Sequence, residues 1–449
     1  MSTTTPASTG VTAPRTTALL TDHYELTMLR GALHSGMAER RAVFEVFARH
    51  LPQGRRYGVV AGIGRLLESL ERFRFDEDVL DHLCTQGVVD DRTCEWLASY
   101  RFSGSIDGYA EGDCYFPGSP ILVVEAPFGE AVLLETLALS ILNHDCAIAS
   151  AASRMVRAAG DRPLIEMGSR RTHEEAAVAA ARAAYIAGFA STSNLAAGRR
   201  YGVPTAGTSA HSFTLLHDSE RQAFQAQVDA LGKSTTLLVD TYDVARAVRT
   251  GVEIAGPELG SVRIDSGDLT VLARQVREQL TDLGAAKTRI VLTGDLDEHS
   301  IAALAVAPVD GYGVGTALVT GSGAPSAALV YKLVARAESG AGDGPLRAVA
   351  KRSVGKPSRG GRKWAVRRRD DRALATGEIL SMTPPRPGPN DRELLRPLVR
   401  DGEVVAGGSL GDARERHTRC LAELPPTAFQ LSRGDPAIPT VFEDEGGGP

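Results

Sequence analysis

Short apolar runs recur through the middle of the chain, and each closes in a polar cluster. They are Pro163–Met167, Pro204–Ala206, Thr236–Val239, Ser261–Ile264, Arg289–Leu292 and Gly311–Val314. Helical stretches lie between them, among them an Ala-rich segment around Glu174–Ala187 and the segment Thr270–Leu283, whose apolar residues fall near helical spacing. A strand followed by a helix and another strand returns the chain in the same direction, so this alternation predicts a parallel sheet. The fold class is α/β. Polar residues after each strand favour a (β/α) barrel with its site at the C-terminal strand ends. An open doubly wound sheet is the alternative.

The flanks read differently. Residues 24–100 are mainly helical, with strands at Ala42–Phe47 and Tyr57–Ala61. Residues 103–126 predict strands at Gly104–Gly108 and Ile121–Val124, and a long helix follows over Glu130–Asn143. Beyond Ala335, Glu338–Pro345 is a Gly-rich loop, and Lys351–Arg369 holds nine basic residues and no acid. Met1–Arg15 is rich in Thr, Ser and Pro without an apolar core, so it reads as a flexible tail rather than a secretory signal. Glu443–Pro449 reads as a frayed end, and no fixed-period repeat is visible.

At 449 residues the chain exceeds one core's usual size, which implies two or more packed units. The expected divisions are a tail over 1–18, an α+β unit over 19–142, an α/β barrel over 143–345 and a C-terminal region over 346–449. No window is apolar enough for a transmembrane helix. Fifty Lys and Arg against 55 Asp and Glu give a net charge of −5, so no global nucleic-acid footprint exists. The five cysteines (Cys84, Cys94, Cys114, Cys146 and Cys420) include no CxxC pair. Neither a disulfide framework nor a structural zinc site is expected, and a reducing cytoplasm fits.

The strand ends carry the chemistry. In order they are Glu166–Arg171, Gly207–Ser212, Asp240–Asp243, Arg263–Asp268, Thr293–Asp297 and Gly311–Thr316. Asp and Gly at any one such turn are usually structural caps. All of these turns converging on one rim exceed what capping needs. Glycines let backbone N–H groups approach phosphate oxygens, carboxylates hold Mg²⁺ or ribose hydroxyls, and arginines grip phosphate or carboxylate. The parts suit a phosphorylated sugar and a small anion. No Walker A motif is present. Leu237–Asp240 through Thr250-Gly251 matches in part the acidic Thr-Gly motif of purine and pyrimidine phosphoribosyltransferases, but its acids are three apart and a helix intervenes.

Thr21–Met28, Glu166–Arg171, Gly207–Phe213, Val262–Leu269, Gly294–Asp297 and Gly311–Thr316 together resemble nicotinate phosphoribosyltransferase, in order and at family spacing from about Leu19 to Lys332. Gly361-Arg362-Lys363 extends the likeness loosely. The resemblance implies an irregular (β/α) barrel beside a second α+β domain built from both chain ends. It implies synthesis of nicotinate mononucleotide from nicotinate and 5-phosphoribosyl 1-diphosphate, coupled to ATP hydrolysis through a phosphohistidine. It further implies Mg²⁺, a cytoplasmic homodimer with shared sites, and no nucleic-acid or membrane partner.

The residue roles follow from the same resemblance. His211 matches the phosphorylated histidine. Asp265 and Asp268 match residues for ribose hydroxyls and Mg²⁺-bound diphosphate, with Arg263 beside them. Gly294, Asp295, Gly313, Gly315 and Thr316 resemble the ribose and phosphate cradle, joined by Arg49 for the diphosphate. Tyr24, Arg170, Thr208 and Ser193 fall at the nicotinate pocket, with Tyr24 supplied by the neighbouring subunit. Met167 stands where the family often has an aromatic. The alternative activity is nicotinamide phosphoribosyltransferase, and a remote one is a non-catalytic RNA-binding protein using Lys351–Arg369. Quinolinate phosphoribosyltransferase is shorter and lacks the His211 motif.

Overall fold

The computed structural model describes residues 16–52, 54–338, 344–351 and 359–443. The tail Met1–Arg15, part of the loop Glu338–Pro345, the centre of the basic run and residues 444–449 lie outside the described residues.

Four of the expected strands appear within a residue of their sequence limits: Leu164–Glu166, Ser261–Ile264, Arg289–Leu292 and Gly311–Val314. Thr236–Leu238 is one residue shorter than expected. The sixth differs. Pro204–Ala206 forms no strand, and only Thr205 bridges to Thr192; the sixth strand is Ser191–Thr192. Two residues are too short to carry a periodic signal.

These strands form one sheet, in the order Ser191–Thr192, Leu164–Glu166, Gly311–Val314, Arg289–Leu292, Ser261–Ile264, Thr236–Leu238. Every pairing is parallel. Among the described residues no pairing joins the two edge strands, so the sheet is a curled half-barrel rather than a closed one. All C-terminal strand ends therefore share one rim.

A second, seven-stranded antiparallel sheet runs Leu346–Ala348, Leu329–Ala337, Arg41–Ala48, Leu122–Pro127, Ser105–Gly108, Arg396–Arg400, Glu403–Val404. It draws strands from the first and last thirds of the sequence. A four-stranded sheet, Arg392–Glu393, Trp364–Arg369, Ala375–Ser381 and Thr440–Phe442, is built wholly from residues after 360.

The helix expected over Glu130–Asn143 is two helices, Phe128–Val132 and Glu135–Ala159. The longer one extends far beyond the expectation because Ala and Ser at 147–153 keep favourable helix spacing without a large apolar stripe. It joins the two apolar cores. Leu137, Ile141 and Leu142 pack with the antiparallel sheet, and Ile148, Ala152 and Met155 pack with the parallel one. Arg154 on its far half donates from Nε to Glu298 Oε1 at 3.0 Å, beneath the parallel sheet's rim.

Cys84 and Cys94 are disulfide-bonded, which corrects the expectation of reduced thiols throughout. They sit on the packed helices Glu77–Thr85 and Asp91–Ala98, a proximity that sequence spacing does not reveal. Cys114, Cys146 and Cys420 are free and buried. No described helix is long and apolar enough to cross a membrane.

Candidate active site

A cavity of about 410 Å³ opens at the rim of the parallel sheet. Each parallel strand but one delivers residues to it directly. The Leu164–Glu166 strand leads to Met167 and Arg170, and Ser191–Thr192 leads to Ser193. Arg263 and Asp265 come from Ser261–Ile264, and Thr293, Gly294 and Asp295 from Arg289–Leu292. Gly313, Gly315 and Thr316 close the rim, and Gly207–Ala210 forms the opposite lip.

Tight turns make this convergence possible. Glu166 is buried, accepts the Gly168 N–H and the Thr192 hydroxyl, and so pins two strand ends together. Burial pushes its carboxyl pKa up. Gly294 has φ +108°, and a Cβ there would stand 2.4 Å from the Asp265 carbonyl oxygen. Only glycine accommodates both conditions. At Gly313 a Cβ would come within 2.6 Å of Met167 Sδ and of Thr293 Cγ2.

Asp265 is the most constrained acid. Thr293 Oγ1 donates to its Oδ1, and Arg263 Nη2 lies 3.6 Å from its Oδ2. Arg263 Nη1 donates to Thr208 Oγ1 and, at 3.3 Å, to the Ser209 carbonyl. Its Nε is buried without a hydrogen-bond partner among the described residues. Arg263 thus ties the 207–210 lip to the floor that holds Asp265. Arg170 and Arg171 are exposed and add positive charge to the same cavity.

His211 begins the short helix His211–Leu216, one residue beyond the lip. Its Nδ1 pairs with Thr241 Oγ1 at 3.1 Å. Its Nε2 lies 3.9 Å from Asp265 Oδ2 and 3.9 Å from Asp240 Oδ1. Asp240 was not among the expected site residues, yet it organises the centre. Its Oδ2 accepts the Asp265 N–H at 2.9 Å and the Ser266 hydroxyl at 2.6 Å, while its Oδ1 is buried and unpartnered. Its place in the strand-end cluster Asp240–Asp243, just past the Thr236–Leu238 strand, is the signal that the sequence carries.

The remaining expected residues separate into two groups. Ser193 is exposed in the cavity wall, and the neighbouring helix cap falls to Asn194, whose side chain accepts the Ala197 N–H at 2.9 Å. Asp268, Tyr24 and Arg49 do not line the cavity. Asp268 caps the helix Leu269–Asp282 by accepting the Val271 N–H at 3.1 Å. Tyr24 is 42% exposed on the helix His23–Ser35, and Arg49 is exposed just past the Arg41–Ala48 strand.

The described basic residues of the C-terminal run are largely engaged with acids. Lys363 pairs with buried Glu45 at 2.6 Å, Arg362 with Asp107 at 2.8 Å, and fully buried Arg367 with Glu378 at 2.6 Å. Such residues brace the protein interior rather than form a basic face.

A family profile described as the nicotinate phosphoribosyltransferase N-terminal domain matches residues 19–143, and the nicotinate phosphoribosyltransferase family profile matches residues 163–371. A nicotinate phosphoribosyltransferase of Mycobacterium tuberculosis is 60% identical over 432 residues, covering 94% of each chain. The chain belongs to the nicotinate phosphoribosyltransferase family. A Bacillus subtilis family member is 38% identical over 332 residues, covering 72% of this chain and 68% of that one. Human nicotinic acid phosphoribosyltransferase superposes with a TM-score of 0.79 at 26% identity, covering 95% of this chain and 98% of that one. The family assignment makes this an enzyme of NAD biosynthesis, with the rim cavity as its candidate centre.

Proposed function

We propose that the rim cavity joins nicotinate to the ribose of 5-phosphoribosyl 1-diphosphate, and that His211 couples this transfer to ATP hydrolysis. The observation that carries the reading is the placement of Arg263, Asp265 and the Gly294–Asp295 turn around one cavity, with His211 Nε2 3.9 Å from Asp265.

The pyridine nitrogen attacks the anomeric carbon, the bond to diphosphate breaks, and diphosphate leaves with the electron pair. Positive charge develops on the ribose carbon as that bond lengthens. Asp265 is held by Thr293 and Arg263 in a fixed orientation, which suits stabilisation of that charge. Gly294 and Gly315, in the strand-end turns, line the cavity, where backbone N–H groups suit a sugar phosphate. Arg170 and Ser193 suit the nicotinate carboxylate, one by charge and one by its hydroxyl.

His211 fits a transient phosphoryl acceptor. When Nδ1–H donates to Thr241, the Nε2 lone pair is free to attack the γ-phosphorus of ATP, with ADP leaving. Water later takes the phosphoryl group and releases phosphate.

No group of three or more His, Cys, Asp or Glu among the described residues forms a metal cluster. Mg²⁺ binds through one or two carboxylates and substrate phosphates rather than an all-protein cage. Asp265 and the orphaned Oδ1 of Asp240 are the carboxylate atoms suited to it. Bound there, Mg²⁺ would neutralise diphosphate charge. Asp268, although expected at this site, is engaged as a helix cap.

Tyr24 fits a pair of chains sharing their sites. It is exposed beside exposed Leu20 and Met28 and absent from its own chain's cavity, so it is available to a second copy. The divisions at 18, 142 and 345 belong to the same proposal, as does a cytoplasmic setting, which the buried free thiols support and the Cys84–Cys94 bond does not.

The test is an assay with nicotinate, 5-phosphoribosyl 1-diphosphate and Mg²⁺, with and without ATP. Nicotinate mononucleotide should form with release of diphosphate, and faster with ATP. Absence of product under both conditions would refute the reading.

A further inference from the structure

The edge strand Leu346–Ala348 places Arg347 directly opposite Arg336 of the Leu329–Ala337 strand. Like charges facing each other across an antiparallel pair are destabilising. A third guanidinium joins them. Arg40 Nε donates to the Ala337 carbonyl at 2.7 Å, and Arg336 Nη1 donates to the same oxygen at 3.1 Å. Among the described residues nothing acidic lines the space between the facing pair. Arg336 and Arg347 wall a cavity of about 400 Å³ whose other described lining is Ala348–Ala350 and Gly360.

Arg336 also borders a second recess of about 180 Å³, with Arg40 on its rim and Met37, Phe128 and Leu333 inside. This recess is apolar, and Met37 is 45% exposed there. A basic cavity and an apolar one thus share a single arginine.

We propose that the two recesses together bind a mononucleotide, with its phosphate between Arg336 and Arg347 and its base against Met37, Phe128 and Leu333. A phosphate dianion offsets the repulsion of the facing arginines and accepts parallel N–H donors from each guanidinium. A flat base matches the aromatic and thioether surfaces of the apolar recess. The site shares no lining residue with the rim cavity, so it stands apart from the proposed transfer reaction.

The test is phenylglyoxal modification of the full chain, read residue by residue by mass spectrometry. The probes are AMP, adenosine and inorganic phosphate. AMP should slow modification of both Arg336 and Arg347 by about fivefold or more at near-saturation, with adenosine or phosphate alone giving less than about twofold. In Arg347→Ala, AMP should lose at least about half of its protection of Arg336. The proposal is overturned if AMP protects neither arginine, if phosphate alone protects as well as AMP, or if Arg347→Ala leaves the protection of Arg336 unchanged.

Discussion

His211 Nε2 stands 3.9 Å from Asp240 Oδ1 and 3.9 Å from Asp265 Oδ2. The two acids are not independent, because Asp240 Oδ2 accepts the backbone N–H of Asp265. Asp240 therefore sets both the carboxylate facing His211 and the loop that presents Asp265 to the cavity. Asp240→Asn keeps the size but weakens both functions. It should lower transfer at least about tenfold, with near-normal melting, by misplacing an electrostatic stabiliser. Steady-state kinetics with a parallel thermal melt checks this, and unchanged turnover would remove Asp240 from the site.

Asp265→Ala and Asp268→Ala should now part company. Losing Asp265 removes a carboxylate from the cavity and should cost about a hundredfold or more in turnover. Losing Asp268 removes a helix cap and should cost about 1 kcal/mol of stability. Turnover of the Asp268 variant below that of the Asp265 variant would reverse this assignment.

Substrate choice is expected to turn on Ser193, which lines the cavity while Asn194 does the capping. An aspartate there would repel a substrate carboxylate and accept an amide N–H. Nicotinate should be strongly preferred over nicotinamide, and Ser193→Asp should narrow the ratio of kcat/KM values. An unchanged ratio would remove Ser193 from specificity.

Buried His417 predicts an acid-side loss of stability. Burial lowers its pKa to about 4, and it bridges the Gly112 carbonyl at 3.1 Å and Ser153 Oγ at 2.9 Å as a neutral ring. The unfolded chain protonates this histidine first, near pH 6.5. Its contribution is therefore fully present above about pH 6.5 and is lost as pH falls toward 4, up to about 3 kcal/mol. Denaturant melts of wild type and His417→Gln across that window check it. Parallel pH slopes for the two proteins would contradict it.

The sequence exposed the parallel sheet well because strands covered on both faces are short and mainly apolar, as Val262 and Ile264 and the neighbouring Ile290, Val291 and Leu292 show. It also exposed the rim, because Asp265, Gly294 and Gly315 each come just after such a run. Ser191–Thr192 was illegible because two residues have no period. Long-range pairings were equally hidden. Lys363 meets Glu45 across 318 positions, so a run that looks like a solvated basic face proves to be partly buried. Asp240 stood in a strand-end cluster without a role of its own, because its importance lies in accepting a backbone N–H from a loop 25 residues away.

The most direct test of the coupled reaction is phosphoryl transfer to residue 211. Incubation with γ-labelled ATP should place an acid-labile, base-stable label on His211. His211→Ala should lose the label and the ATP-driven rate gain while keeping slow uncoupled transfer. Equal label on His211→Ala, or an undiminished ATP effect in that variant, would contradict the account.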